Sequence, residues 1–134
     1  MGLAAVTAFE ATHLPGVLAL CEAEGWPSFP ADPERAQRVL TGDNAATLVA
    51  LDTGELVGFA FVILDAGPLD AYLSMLAVRG DRRREGIARM LIDELFRATG
   101  AERIDLLAEP GSEPFYDSFP HRDFRGYRLY PMPG

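Results

Sequence analysis

Leu76-Ala77-Val78-Arg79-Gly80-Asp81-Arg82-Arg83-Arg84-Glu85-Gly86-Ile87-Ala88-Arg89 is the stretch that decides how this chain is read. The apolar run that ends in Leu76-Ala77-Val78 reads as a strand. From Ile87 the apolar period changes: Ile87, Ala88, Leu91, Ile92 and Leu95 make the stripe of an amphipathic helix, with Arg89, Asp93 and Arg97 four apart on its wet side. Between Arg79 and Arg89, five arginines stand against two acids, a local balance of +3. Positive charge at a helix start opposes the macrodipole by about 0.3–1 kcal/mol per exposed charge. An anion lying among Arg82, Arg83 and Arg84 would remove that penalty. Gly86 and the small Ala88 allow close approach, and the free N–H groups of a first helical turn point at the same place. The residues therefore spell a phosphate-binding strand–loop–helix. The competing reading is a set of solvated arginines partly neutralised by Asp81 and Glu85, and at this level both stand. A dinucleotide fold needs three spaced glycines after its first strand, whereas this loop has Gly80 and Gly86.

Upstream, Val6 to Glu10 is expected as a short first strand. Thr12 is expected to cap a helix bearing Leu14, Val17, Leu18 and Cys21, which Gly25 ends. Trp26-Pro27-Ser28-Phe29-Pro30 reads as a stiff aromatic loop, and Asp32-Pro33 as the start of a short helix that Gly42 stops. Ala46 to Leu51 and Leu56 to Leu64 flank Asp52-Thr53-Gly54-Glu55, which has hairpin-turn chemistry. Both strands are apolar on both faces, so the sheet is expected to be covered on each side. Gly67-Pro68 reads as a turn before a strand over Ala71 to Val78. Downstream, Gly100 closes the amphipathic helix. Arg103 to Ala108 is expected as a strand, Glu113 to Ser118 as a helical turn, and Phe124 to Tyr130 as a last strand.

Composition removes several classes. The 134 residues suit one domain, 1–134, with 49% hydrophobic and 24% charged residues, a globular balance. No apolar run approaches the roughly 20 residues that span a bilayer. The N-terminus, Met1 to Thr7, has no basic region and no cleavage pattern of a signal peptide, so a cytoplasmic protein without a membrane partner is expected. All 12 basic residues are arginine, which excludes P-loop and Schiff-base lysine chemistry. One Cys and two His exclude Cys-rich zinc sites and an internal disulfide, so no metal is expected. Cys21, on an apolar helix face, reads as a core residue. A net charge of −8 speaks against a nucleic-acid partner.

The segment from Leu76 to Arg89 resembles the acetyl-CoA signature of the GNAT superfamily of N-acetyltransferases. Its core, Arg/Gln-x-x-Gly-x-Gly/Ala, stands here as Arg83-Arg84-Glu85-Gly86-Ile87-Ala88. The element order matches that family along nearly the whole chain. The resemblance implies a mixed α/β fold, a mainly antiparallel central sheet flanked by helices on both faces. It implies acetyl-CoA as co-substrate, with the backbone N–H groups of Arg84, Glu85, Gly86, Ile87, Ala88 and Arg89 around the pyrophosphate. The strand ending Leu76, Ala77 and Val78 would pair with the pantetheine arm, and the Leu76 N–H would hold the tetrahedral oxyanion.

Phe115-Tyr116 also resembles the family's Phe-Tyr pair, whose Tyr protonates the departing thiolate. The usual surroundings differ: Glu109-Pro110-Gly111-Ser112-Glu113-Pro114 precedes the pair and Pro120-His121 follows it. A packing role for Tyr116 is the alternative. Family positions for a base fall on Tyr72 and Ser74, neither a base at neutral pH, which leaves them as acceptor contacts. Glu24 and Glu109 are the remaining carboxylate candidates for the base, or plain surface acids. Trp26 and Phe29 would wall an acceptor pocket, gripping a cation by its π-face, or cap the core edge. Glu22 and Glu24 beside them would draw an ammonium group. The expected activity is acetyl transfer to a small-molecule or peptide-like primary amine, with a homodimer allowed. The alternative is a non-catalytic acyl-CoA-binding module, and a weaker one is a binder of another polyphosphate.

Overall fold

The structure is a computed structural model that describes residues 4–67 and 69–133, with backbone alone for 65–67. Pro68 of the expected turn lies outside the described residues. Five strands form one sheet in the order β1-β2-β3-β4-β5: β1 Ala5–Ala8, β2 Ala45–Asp52, β3 Glu55–Gly67, β4 Asp70–Val78 and β5 Arg103–Asp105. The first three pairings are antiparallel and β4·β5 is parallel. Helix α1 (Leu14–Glu24), the single turn α2 (Ser28–Ala31) and α3 (Pro33–Leu40) precede β2, α4 (Ile87–Thr99) joins β4 to β5, and α5 (Glu113–Asp117) follows.

The sheet is covered on both faces, as its doubly apolar strands require. Leu48, Ala50, Val57, Ala60 and Val62 bury against Ile87, Leu91, Ile92 and Leu95 of α4. Val49, Phe59 and Phe61 bury on the other side against Val17, Leu20 and Cys21 of α1. Alternate residues along a strand thus feed alternate cores. Two glycines set the spacing. A Cβ on Gly16 would come within 2.8 Å of Leu56 Cβ, so α1 rides directly on β3. A Cβ on Gly58 would lie 3.1 Å from the Ala77 carbonyl and 3.2 Å from Ile87, so the first turn of α4 is pressed onto β3 beside the end of β4.

The β2–β3 hairpin closes through Thr53 and Gly54, both with positive φ (50° and 84°), as a two-residue primed turn demands. Gly25 and Gly100 end α1 and α4 in the left-handed region, donating to Cys21 and Phe96 carbonyls. Asp32 caps α3 by accepting from the Arg35 N–H at 3.1 Å.

Four expectations need correction. The expected aromatic loop after α1 turns helical from Ser28, as α2. Thr12 does not cap α1. It lies in a 3-10 turn, Ala11–His13, in which the Glu10 N–H donates to His13 Nδ1 at 2.9 Å, and the helix starts at Leu14 with Pro15 in its first turn. The fifth strand ends at Asp105, short of Ala108. Phe124 to Tyr130 is not a strand. A last strand needs a ladder to join, and β5 offers a paired length of only three residues before it turns away. The segment instead crosses beside Leu107, so close that a Cβ on Gly126 would collide with that side chain, and leaves Phe124, Tyr127, Leu129 and Tyr130 exposed. Among the described residues, no helix is long and apolar enough to cross a membrane.

Candidate active site

Strand β4 carries the first part of the site. It pairs with β5 only through Asp70, Ala71 and Tyr72. From Leu73 to Val78 that edge has no strand partner, because β5 has ended. On its other edge the register passes from Phe61↔Met75 to Val62↔Leu73, so Ser74 is the extra residue of a β-bulge. Leu76 and Ala77 lie beyond the bulge opposite Ala60 and Phe59, and Val78 lies opposite Gly58.

The loop after β4 turns through a 3-10 segment, Gly80–Arg82, and enters α4 through Gly86. Arg84 (φ 66°) and Gly86 (φ 84°) are both left-handed. Among the described residues, the backbone N–H groups from Arg84 to Arg89 make no hydrogen bond; the first to bond is that of Met90, to the Gly86 carbonyl at 3.0 Å. A Cβ on Gly86 would meet nothing within 4 Å. The result is a row of unsatisfied donors around an open space, at the positive end of a 13-residue helix.

The arginine side chains behave differently from the anion cluster that their sequence suggests. Arg79 is held by Glu55 (3.0 Å) and Asp81 (2.7 Å). Arg82 reaches Asp52 at 2.7 Å and Glu85 at 2.9 Å, and its side chain is only 15% exposed. Asp81 lies below its ordinary value because the Arg79 guanidinium hydrogen-bonds it. Arg83 binds Glu24 at 2.8 Å and the Val78 carbonyl at 3.3 Å, with 58% of its side chain still exposed. Arg84 has no side-chain partner among the described residues. Neutralisation by acids therefore accounts for Arg79 and Arg82, and the N–H row is the stronger anion feature. Sequence reasoning missed the distant partners Asp52 and Glu55.

Arg89 donates to Ser118 Oγ at 2.7 Å and stacks over the Phe119 ring at 4.0 Å. It thereby ties the first turn of α4 to the end of α5, which carries Tyr116. Phe115 packs edge-on against both Tyr116 (5.0 Å) and Phe119 (5.2 Å). Tyr116 is half-buried, and burial raises its phenol above the ordinary value, so it keeps its proton at neutral pH.

Two cavities adjoin these elements. One, of about 580 Å³, is lined by Trp26, Phe29, Ser74, Met75 and Phe61, with Arg35, Arg128 and Glu109 as its ionic groups. The second, of about 730 Å³, holds Tyr72 and Tyr116 together with Asp105 and His121. Trp26, Phe29 and Ser74 thus share one cavity, while Tyr72 joins Tyr116 in the other. Arg128 lines both. Glu24, expected to draw a cation beside Trp26, is committed to Arg83. Cys21 is fully buried and burial pushes its thiol up to about 11, a core residue and not a nucleophile.

The profile described as the acetyltransferase (GNAT) family matches residues 15–119. The chain belongs to that family, and its class is that of acetyl-CoA-dependent N-acetyltransferases. Among solved structures it is similar to the aminoglycoside N-acetyltransferase AAC(6')-Iy in complex with CoA, at 20% identity and a TM-score of 0.81, covering 98% of this chain and 96% of that one. It is similar to the ribosomal-protein-alanine N-acetyltransferase from Brucella melitensis biovar Abortus 2308, at 20% identity and a TM-score of 0.75, covering 97% and 100%. A mutant of the BH1408 protein from Bacillus halodurans matches at 20% identity and a TM-score of 0.77, covering 96% and 99%. At such identities the likeness is one of fold. No curated protein matches the chain.

Proposed function

We propose that this chain, as a single domain, transfers the acetyl group of acetyl-CoA to a primary amine of a small molecule. The observation that carries the reading is the row of unbonded N–H groups from Arg84 to Arg89 at the end of a strand whose edge is open from Leu73 onward. That pair of features suits a molecule with a pyrophosphate at one end and an extended amide arm. The pyrophosphate lies against the donors of Arg84, Glu85, Gly86, Ile87, Ala88 and Arg89, with the Arg83 and Arg84 side chains beside it. The arm lies along Leu76, Ala77 and Val78.

In the reaction, the amine lone pair attacks the thioester carbonyl carbon. The Leu76 N–H stabilises the oxyanion. The C–S bond then breaks, and the leaving sulfur takes the proton of the Tyr116 hydroxyl, which the amine's surrendered proton finally restores. The raised Tyr116 keeps that proton available. Trp26, Phe29 and Ser74 line the acceptor cavity, and Tyr72 stands with Tyr116.

Titration calorimetry with acetyl-CoA, followed by thiol release with a set of amines, tests this. Saturable binding and amine-dependent thiol release are expected. Binding without thioester consumption by any amine would leave the acyl-CoA-binding module, and no binding would remove the reading altogether.

A further inference from the structure

The Trp26–Phe29 cavity has a charge that runs against the rest of the chain. The protein carries 20 acids against 12 arginines. Yet the ionic groups lining this cavity are Arg35, Arg128 and a lone carboxylate, Glu109. Of the other ten arginines, five hold acids: Arg79, Arg82, Arg83, Arg97 and Arg103. Arg35 and Arg128 hold none, and neither makes a side-chain hydrogen bond among the described residues. They lie far apart in sequence, Arg35 in the first turn of α3 and Arg128 in the segment that crosses beside Leu107. Only folding brings them to one cavity. The remaining lining is apolar and aromatic: Trp26, Phe29, Phe61, Val39, Ile63 and Met75.

We infer that the acceptor is an amine that also bears a carboxylate on an apolar body, the chemistry of an apolar α-amino acid. The inference rests on the acetyl-transfer reading above and names its substrate class. Two guanidiniums offer paired donors that match a carboxylate's two oxygens, with a geometry an ammonium side chain lacks. The apolar wall takes the side chain. Glu109 faces the same space and suits the amine before it loses its proton. A polycation such as an aminoglycoside would meet two unpaired positive groups and one negative one, which disfavours it.

The test is thiol release from acetyl-CoA with phenylalanine, leucine and methionine, each compared with its carboxamide, and with neamine as the polycation. The carboxamides are isosteric and lose the amine proton more readily, so intrinsic reactivity favours them. A preference for the free acids therefore reports recognition of the carboxylate. For at least one pair, kcat/KM for the acid is expected to exceed that for the amide by roughly tenfold or more. In Arg35→Gln/Arg128→Gln that ratio should collapse through the acid alone, with the amide's rate retained and acetyl-CoA binding unchanged. Amides or neamine preferred by the unaltered enzyme would overturn the substrate class and leave acetyl transfer standing. The same holds if the double variant, folded by circular dichroism, keeps its preference for acids. Failure of every amine to consume thioester would overturn both.

Discussion

Gly86 is where the donor-binding reading is most exposed to disproof. Replacing it with Ala adds one methyl group. At φ 84° that residue sits in the left-handed region, so the substitution costs about 1–2 kcal/mol of conformational energy. Beyond its own chain neighbours nothing lies within 4 Å of the added Cβ, so no tertiary clash is added. The same helix supplies its own control. Gly100, at its other end, has φ 70° and equally empty space around a built Cβ. Gly86→Ala and Gly100→Ala should therefore lose similar stability, about 1–2 kcal/mol each by urea titration. Only the first puts its methyl group among the free N–H groups of Arg84 to Arg89. Calorimetry should show acetyl-CoA affinity falling more than tenfold, about 1.4 kcal/mol, for Gly86→Ala and holding within twofold for Gly100→Ala. Gly86→Val should lose still more affinity, and its β-branch adds to the backbone strain. Unchanged affinity in Gly86→Ala, or an equal loss in both variants, would refute the placement of the pyrophosphate.

Tyr116→Phe should lower kcat by roughly 10²–10⁴ with acetyl-CoA affinity unchanged; full turnover would reduce Tyr116 to a packing residue. Cys21, with its thiol pushed up to about 11, should resist a thiol-specific reagent at pH 8 in the native protein and react at once in denaturant. His121 lies above its ordinary 6.5, chiefly because its ring hydrogen-bonds the Phe119 carbonyl and then because Asp123 and Asp117 face it. Its stabilising contribution is therefore full below pH 6.5 and is lost as pH rises through the raised folded value. The melting temperature of the native protein should exceed that of His121→Gln by more at pH 5 than at pH 8. Equal differences at both would show that the ring's charge is not used.

What the residues disclosed in advance was whatever they fix locally. The turn at Thr53-Gly54, the stops at Gly25 and Gly100 and the Asp32 cap are each written within a few residues, and all appear in the fold. The stripe from Ile87 to Leu95 is equally local, and its buried members are the expected ones apart from half-buried Ala88. Phe124 to Tyr130 has strand-like residues, but a strand exists only if a neighbour supplies its ladder, and β5 ends too early. The arginines of the loop looked like one anion site because their partners Asp52, Glu55 and Glu24 lie 24 to 59 residues away. Arg35 and Arg128 share a cavity for the same non-local reason, and nothing in either neighbourhood announces it. The bulge at Ser74 also lacks a local signal, being a matter of register between two strands.

The hairpin turn of the second and third strands ends in two acids, Asp52 and Glu55, and each grips an arginine of the loop after β4. The turn is thus a buttress for a site it does not touch. Hairpin tips ordinarily tolerate insertions well, since they sit in solvent and pack against little. Here a lengthened tip would take one acid partner from each of Arg79 and Arg82 together, leaving them Asp81 and Glu85. Part of the loop's ordering would then fall to the ligand at each binding event. Changes at positions 52 to 55 should therefore surface as slower or weaker capture of acetyl-CoA, and a screen for donor-affinity variants would find some of its strongest hits in a turn that looks ornamental.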